Sequence, residues 1–160
     1  MPVLEPGAKL PALALSDERG APVSPPDGET LYVVFKTTCP TCALTWPYLE
    51  RIARASEGGS LRVLGISQDD PQETRDFERR VGARVPSAYD PPPYAASDAL
   101  GVSTVPTFLR VAGDGTVTET VTGFDRARLE ALARRASDLA GRPPAPLFGP
   151  DEKVPPIKPG

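Results

Sequence analysis

One stretch decides the fold of this chain, Leu31-Tyr32-Val33-Val34-Phe35-Lys36-Thr37-Thr38-Cys39-Pro40-Thr41-Cys42. Residues 31–35 form a continuous apolar run of β-branched and aromatic side chains, which is typical of a strand buried on both faces. From Cys39 onward, apolar residues recur at helical spacing as far as Ala53, and Pro47 is expected to kink this helix. The stretch therefore predicts a buried strand that leads straight to two cysteines at the start of a helix.

The segments on either side of this stretch predict further elements of the same sheet. On the N-terminal side, apolar residues 12–15 and turn residues 17–20 predict a short β-hairpin. On the C-terminal side, residues 61–66 predict a second buried strand. A helix follows it, because Asp70 is suited to the N-cap, Pro71 to the first helical position and Gly82 to the end.

The second half of the chain predicts a hairpin and a closing helix. A loop through Pro86 and residues 91–93 leads to a short helix at residues 94–100, with Tyr89 and Tyr94 expected to pack within this loop region. Residues 105–111 and 117–122 flank an Asp-Gly pair, which is a β-hairpin signature. Asp125 is suited to cap a last helix, whose apolar residues up to Leu139 share one face.

Composition limits the classes of function. A chain of 160 residues fits one domain with one core. The net charge is −3 and Lys or Arg form no block, so the electrostatic footprint of a nucleic-acid binder is missing. No stretch approaches ~18 consecutive apolar residues, and residues 1–7 do not resemble a signal peptide. As written, the chain is expected to be cytoplasmic and without a membrane span, or exported to the periplasm if a leader was removed.

The last twenty residues differ from the rest. Seven of residues 141–160 are proline, which excludes a helix or a central strand there. We expect one folded domain over residues 1–140 and an extended or disordered tail over residues 141–160, with no assigned role.

The two cysteines are the candidate catalytic residues. At the first turn of a helix, unpaired N–H groups and the positive end of the dipole favour a thiolate, so Cys39 is expected to be the nucleophile. Cys42 lies one turn later and can close a small-ring disulfide, which makes it the resolving cysteine. Lys36 precedes Cys39 by three residues and is a candidate for tuning the pKa of Cys39 through its charge.

Other uses of a Cys-x-x-Cys pair fit less well. The chain has two cysteines and no histidine, so only carboxylates could complete a zinc site. A c-type haem site needs a histidine after Cys42, where the chain has Ala43. A Cu(I) site held by two thiolates, or a purely structural disulfide, stays open. Redox exchange fits the pair better than either alternative, so we expect no metal and no cofactor.

Several motifs together resemble the thioredoxin superfamily, in particular its TlpA/ResA-like and cytochrome-c-maturation branch. The resemblance spans about residues 5–139, and its carriers are residues 35–42, Pro47, residues 63–70, residues 100–108 and the Asp-Gly pair at 114–115. It implies an α/β, thioredoxin-like fold with a central mixed sheet, helices on both faces and an N-terminal hairpin. The strand and helix between residues 61 and 86 resemble the insertion that separates this branch from minimal thioredoxins.

The resemblance also implies a substrate surface. Pro106 occupies the position of the family's cis-proline, and the backbone of Val105 would hydrogen-bond an extended substrate segment. Thr38, Pro40 and Thr41 would complete this surface.

Three departures from the family pattern concern the chemistry of the site. Thr38 stands where the family usually has tryptophan, and Val33 holds the place of the buried acid of thioredoxin. Thr45 stands where some relatives carry a glutamate near the second cysteine, so the residues identify no proton acceptor for Cys42. Trp46 is expected to be a packing residue rather than a substrate platform.

The expected function is thiol-disulfide exchange, with an antioxidant role, in a monomer that acts on a protein disulfide or dithiol and draws on an upstream electron donor. The alternatives are a redox-inactive binding module, a Cu(I) carrier and a thiol peroxidase. The peroxidase pattern fails because Tyr32 and Lys36 stand where it requires proline and threonine before Cys39.

Overall fold

The computed structural model describes residues 2–160, in which nine strands and four helices follow one another. In chain order these are β1 (Leu15–Ser16), β2 (Pro22–Val23), β3 (Thr30–Phe35), α1 (Pro40–Ala55), β4 (Arg62–Ser67), α2 (Pro71–Val81), β5 (Ser87–Tyr89), α3 (Ala95–Leu100), β6 (Thr107–Val111), β7 (Val117–Thr122), β8 (Phe124–Asp125), α4 (Arg126–Leu139) and β9 (Ile157–Lys158).

Seven strands form one mixed sheet in the order β2-β1-β5-β4-β3-β6-β7. At its centre, β3 runs parallel to β4 and antiparallel to β6, with every residue of β3 buried. The register pairs Val34 with Thr107, so the loop before β6 lies beside the end of β3. The predicted α/β fold with a central mixed sheet is confirmed, and the sheet brings residues 36–42 and 104–106 to one edge.

Helix ends follow the capping residues that the sequence predicts. Cys39 is the N-cap of α1, followed by Pro40 at the first helical position. Asp70 caps α2 and forms a reciprocal capping box with Glu73. Gly82 ends α2 with a φ of 70°, a conformation that glycine adopts without strain.

The helices cover both faces of the sheet, and an apolar cluster lies on each face. Residues of α1, α2 and α4 belong to one cluster, and residues of α3 belong to the other. Under the start of α1, Trp46 is fully buried and its ring lies 4.0 Å from that of Phe35 and 5.6 Å from that of Phe77. Its indole N–H donates to Glu78 Oε2 at 3.2 Å. Trp46 is therefore a packing residue, as predicted. Within residues 2–160, none of the helices has both the length and the apolar character needed to cross a membrane.

One strand replaces a predicted loop. Residues 87–89 form β5, which pairs in parallel with β4 and antiparallel with β1, so Tyr89 lies in the sheet rather than in a loop. Three residues between two proline-rich turns are too short to show a period of two, which is why their pairing was not visible in the sequence. β6 likewise begins at Thr107 rather than at residue 105, since Val105 and Pro106 belong to the preceding turn.

The proline-rich tail lies along the domain. Leu147 and Phe148 are each 5% exposed and join the core cluster under α1 and α4. Further on, β9 pairs antiparallel with β8 in a separate two-stranded sheet. The tail is therefore an extended segment with its own contacts to the domain.

Candidate active site: a dithiol at the start of helix α1

Cys39 lies at the junction between the loop after β3 and helix α1. Its thiol is half-buried, and its sulfur accepts a hydrogen bond from the backbone N–H of Cys42 at 3.2 Å. Cys42 is the third residue of α1, and the N–H at this position is a usual donor to an N-cap side chain. The sulfur thus receives one of the free N–H groups at the helix start, an arrangement that stabilises a thiolate.

Cys42 has the opposite environment. Its side chain is 0% exposed and packs in the core cluster, and burial raises the pKa of its thiol well above the ordinary value. Contact with the Cys39 thiol and the negative charge of Asp69 raise this pKa further, whereas a hydrogen bond to the Lys36 backbone opposes them. Cys39 and Cys42 approach each other to 3 Å, which is consistent with a dithiol that can close to a disulfide.

The loop before Cys39 is held from both sides. The backbone N–H of Thr37 donates to Asp69 Oδ2 at 2.7 Å, and the Thr37 carbonyl accepts from the Arg80 guanidinium at 2.9 Å. Asp69 follows β4 and Arg80 lies near the end of α2. β4 and α2 therefore fix the loop that presents Cys39.

Val105 and Pro106 lie against the other side of the dithiol. The peptide bond between them is cis, and the Cys39 thiol donates to the Val105 carbonyl at 3.4 Å. The structure thus brings together Cys39, Cys42, Val105 and Pro106, all four of which the sequence singles out.

The remaining predicted surface residues divide into an open and a covered group. Thr38 and Pro40 are exposed, whereas Thr41 is only 3% exposed. Thr41 Oγ1 donates to the carbonyl of Pro159 at 2.7 Å, so the tail covers this part of the site.

The charged end of Lys36 lies over an aromatic ring. Its Nζ lies 5.6 Å from the ring centroid of Tyr94, at the edge of a cavity of about 390 Å³ that also borders Val105. Tyr94 has a φ of 64°, a left-handed conformation that is uncommon for an aromatic residue. The effect of Lys36 on Cys39 stays a prediction.

Sequence reasoning missed three contributors to this site, namely Asp69, Arg80 and the end of the tail. Asp69 and Asp70 both follow β4, and only one of them can cap α2. The other acid has no local role, which could have indicated that it contacts a distant segment. Leu147 and Phe148 between prolines were a second signal, since an apolar pair in a polar tail tends to be buried. The sequence gives no signal for Arg80, because arginines in the last turn of a helix are expected simply to offset the negative end of the helix dipole.

A half-exposed cysteine at a helix start, a buried partner one turn later and a neighbouring cis-proline turn on a mixed sheet define a thioredoxin-fold dithiol protein. The Redoxin family matches residues 5–134, and the chain belongs to this family. No curated protein matches the sequence.

Solved structures share the fold at low identity. A candidate DsbE thiol:disulfide interchange protein from Chlorobium tepidum is 21% identical with a TM-score of 0.71, covering 86% of this chain and 99% of its own. A thiol:disulfide interchange protein from a Bacteroides species is 16% identical with a TM-score of 0.72, covering 86% and 91%. A secreted disulfide oxidoreductase from Mycobacterium tuberculosis is 19% identical with a TM-score of 0.63, covering 76% and 93%.

Proposed function

We propose that this protein is a thiol-disulfide oxidoreductase that reduces or exchanges disulfides in protein substrates through Cys39 and Cys42. One observation carries the proposal: a half-exposed Cys39 sulfur accepts a helix N–H at 3.2 Å while its partner Cys42 is fully buried. This asymmetry supports attack by the Cys39 sulfur and resolution by the Cys42 sulfur.

The reaction proceeds by two exchanges. The Cys39 thiolate attacks one sulfur of the substrate disulfide, forming a mixed disulfide and releasing the other substrate sulfur as a thiolate. Cys42 then loses its proton and attacks the Cys39 sulfur, which forms the Cys39–Cys42 disulfide and releases the second substrate sulfur. The substrate gains two electrons and two protons, and an upstream dithiol donor returns the same number to this protein.

The surface around Cys39 supports a polypeptide substrate. Exposed Thr38 and Pro40 leave one side of the sulfur open, and the cavity of about 390 Å³ beside Val105 offers space for a substrate side chain. On the other side, the Val105 backbone and the cis-proline Pro106 would pair with an extended segment in the manner of strand addition.

The finer assignment rests on the relatives and the motifs. The interchange proteins among the structural neighbours support the TlpA-like branch, and the secreted relative favours an exported location. Restoring oxidised protein thiols would give the protein an antioxidant role.

Turnover and trapping test the proposal together. The reduced protein should reduce insulin, measured as precipitation of the released B chain, and the Cys42→Ser variant should instead accumulate mixed disulfides on Cys39, measured by non-reducing electrophoresis and mass spectrometry. Cys39→Ser is the matched control and should trap nothing. Absence of both turnover and trapped species would overturn the proposal and favour a redox-inactive binding module.

A Cu(I) carrier gives a different result in the same set of variants. It would bind Cu(I) tightly in the reduced state and lose the metal in Cys39→Ser, without reducing insulin.

A further inference from the structure

The end of the tail pairs with strand β8 and then continues to the dithiol. We call residues 156–160 the strap. The Arg126 N–H donates to the Pro156 carbonyl at 2.9 Å, and Lys158 pairs with Phe124 in the β8–β9 ladder. A Cβ at Gly123 would lie 2.7 Å from the Lys158 carbonyl oxygen, so only glycine permits this approach.

The last two residues of the strap lie on the groove beside the cysteines. The Pro159 carbonyl accepts the Thr41 hydroxyl at 2.7 Å, which buries a residue located between the two cysteines. The backbone of Gly160 packs so closely on Val105 that a Cβ there would collide with the Val105 carbonyl oxygen. The strap therefore occupies the place where an extended substrate would meet Val105.

The strap is held less firmly than the tail that carries it. Upstream, Phe148 is buried against Tyr48 at a ring distance of 4.5 Å, and Glu152 accepts two hydrogen bonds from Arg51 at 2.6 and 2.8 Å. The Arg51 guanidinium lowers the pKa of Glu152 to about 2, so this anchor stays charged at neutral pH. In the strap itself, Ile157 is 66% exposed and the ladder is two residues long.

We propose that the strap is an intramolecular occupant of the substrate groove, which an extended segment of a protein substrate must displace before its disulfide reaches Cys39. The inference rests on the proposed function and deepens it, because it makes the site selective for substrates that can pair with the vacated backbone. Small disulfides reach the half-exposed Cys39 sulfur from the open side without moving the strap.

Energetics permit such a displacement. A two-residue ladder is unstable by itself, so the strap has an open state that the upstream anchors keep tethered. When only the open state binds protein substrates, their apparent affinity is proportional to the fraction of molecules in that state. Any change that favours opening therefore raises the rate at which protein substrates react.

Thr41→Val tests the inference in the full-length chain. Valine keeps the shape of threonine but removes the donor to Pro159, and loss of one neutral hydrogen bond should raise the rate of insulin reduction about fivefold. The rate with a small aromatic disulfide, measured on the same variant, corrects for any effect of residue 41 on the dithiol itself, so the ratio of the insulin rate to the small-disulfide rate should rise about fivefold. Thr41→Ser keeps the hydroxyl and is the control, and its ratio of the two rates should equal that of wild type.

A second pair of variants separates displacement of the strap from backbone strain. Gly123→Ala strains a backbone of positive φ and also places a Cβ against the Lys158 carbonyl. Gly115→Ala, at a φ of 88°, causes the same kind of backbone strain, but its Cβ would have no atom within 4 Å. Only Gly123→Ala should accelerate insulin reduction and labelling of Cys39 by a polymer-linked maleimide, with labelling by iodoacetamide unchanged.

The outcomes separate the inference from the function on which it rests. If Thr41→Val and Gly123→Ala both leave insulin reduction and polymer-maleimide labelling at wild-type rates, the strap does not block the groove, and a wild-type protein that reduces insulin keeps its proposed function. If wild type reduces neither disulfide, the proposed function fails, while faster polymer-maleimide labelling of Thr41→Val would still show that the strap covers Cys39.

Discussion

Two cysteines separated by two residues have opposite physical environments. The Cys39 sulfur meets a helix N–H and solvent, whereas the Cys42 thiol is enclosed in the core and has a raised pKa because burial penalises its charged form. In the proposed reaction the attacking sulfur is thus the accessible one, and at neutral pH the resolving sulfur is mostly a thiol. The second step should therefore depend more strongly on pH than the first.

The rate of resolution by Cys42 is expected to rise about tenfold per pH unit between about pH 6 and pH 9, because the thiolate fraction grows tenfold per unit below the pKa. A mixed disulfide of Cys39 with a fluorescent peptide thiol, followed by stopped-flow release of the peptide, measures this step directly. The attack step, measured in Cys42→Ser, serves as the comparison. A resolution rate that levels off near pH 7 would contradict the raised pKa of Cys42.

At the scale of elements, β4 and α2 do more than build the sheet and its cover. Asp69 at the end of β4 and Arg80 in the last turn of α2 hold the backbone of Thr37 at 2.7 and 2.9 Å. This backbone leads directly to the N-cap of α1. β4 and α2 therefore determine where the Cys39 sulfur is presented.

Neighbouring arginines offer a matched test of this role. Arg80→Met should lower the free energy of unfolding by about 1 kcal/mol, since it removes the hydrogen bond to the Thr37 carbonyl. Arg79→Met removes a surface ion pair with Asp76 and should cost less than about 0.5 kcal/mol. Urea denaturation measures both variants. Equal costs would show that the contact with Thr37 does not stabilise the loop.

At the scale of the whole molecule, the proline-rich tail completes the domain. Phe148 packs with Tyr48, and its ring lies 6.1 Å from that of Phe124. Arg142 donates to the carbonyl of Arg54 in the last turn of α1 at 2.8 Å and to that of Glu57, just beyond the helix, at 2.9 Å. These contacts join residues far apart in the chain, so the tail should unfold together with the domain.

Phe148→Ala is expected to lower the free energy of unfolding by roughly 3 kcal/mol, because it leaves a cavity among buried aromatic rings. Pro144→Ala alters an exposed residue of the same tail and should change stability by less than about 0.5 kcal/mol. Guanidinium denaturation followed by Trp46 fluorescence checks both. A loss no larger in Phe148→Ala than in Pro144→Ala would mean that the domain is stable without its tail.

The sequence by itself determined the α/β order of elements, the capped helix starts and the position of the dithiol. These features depend on local patterns: a buried apolar run before Cys39, Asp70 with Pro71, and an Asp-Gly turn. Each acts within a few residues, so composition and spacing suffice to predict it.

Tertiary structure alone decided which distant groups hold the loop and the helix start that carry the sulfurs. Asp69 and Arg80 meet at Thr37, and the Pro159 carbonyl meets Thr41, only because the sheet and the tail bring distant segments together. No local pattern records such contacts, since their free energy depends on burial and on geometry across more than thirty residues of chain. For the same physical reason, the pKa of Cys42 follows from the core that encloses it and not from the four residues of its motif.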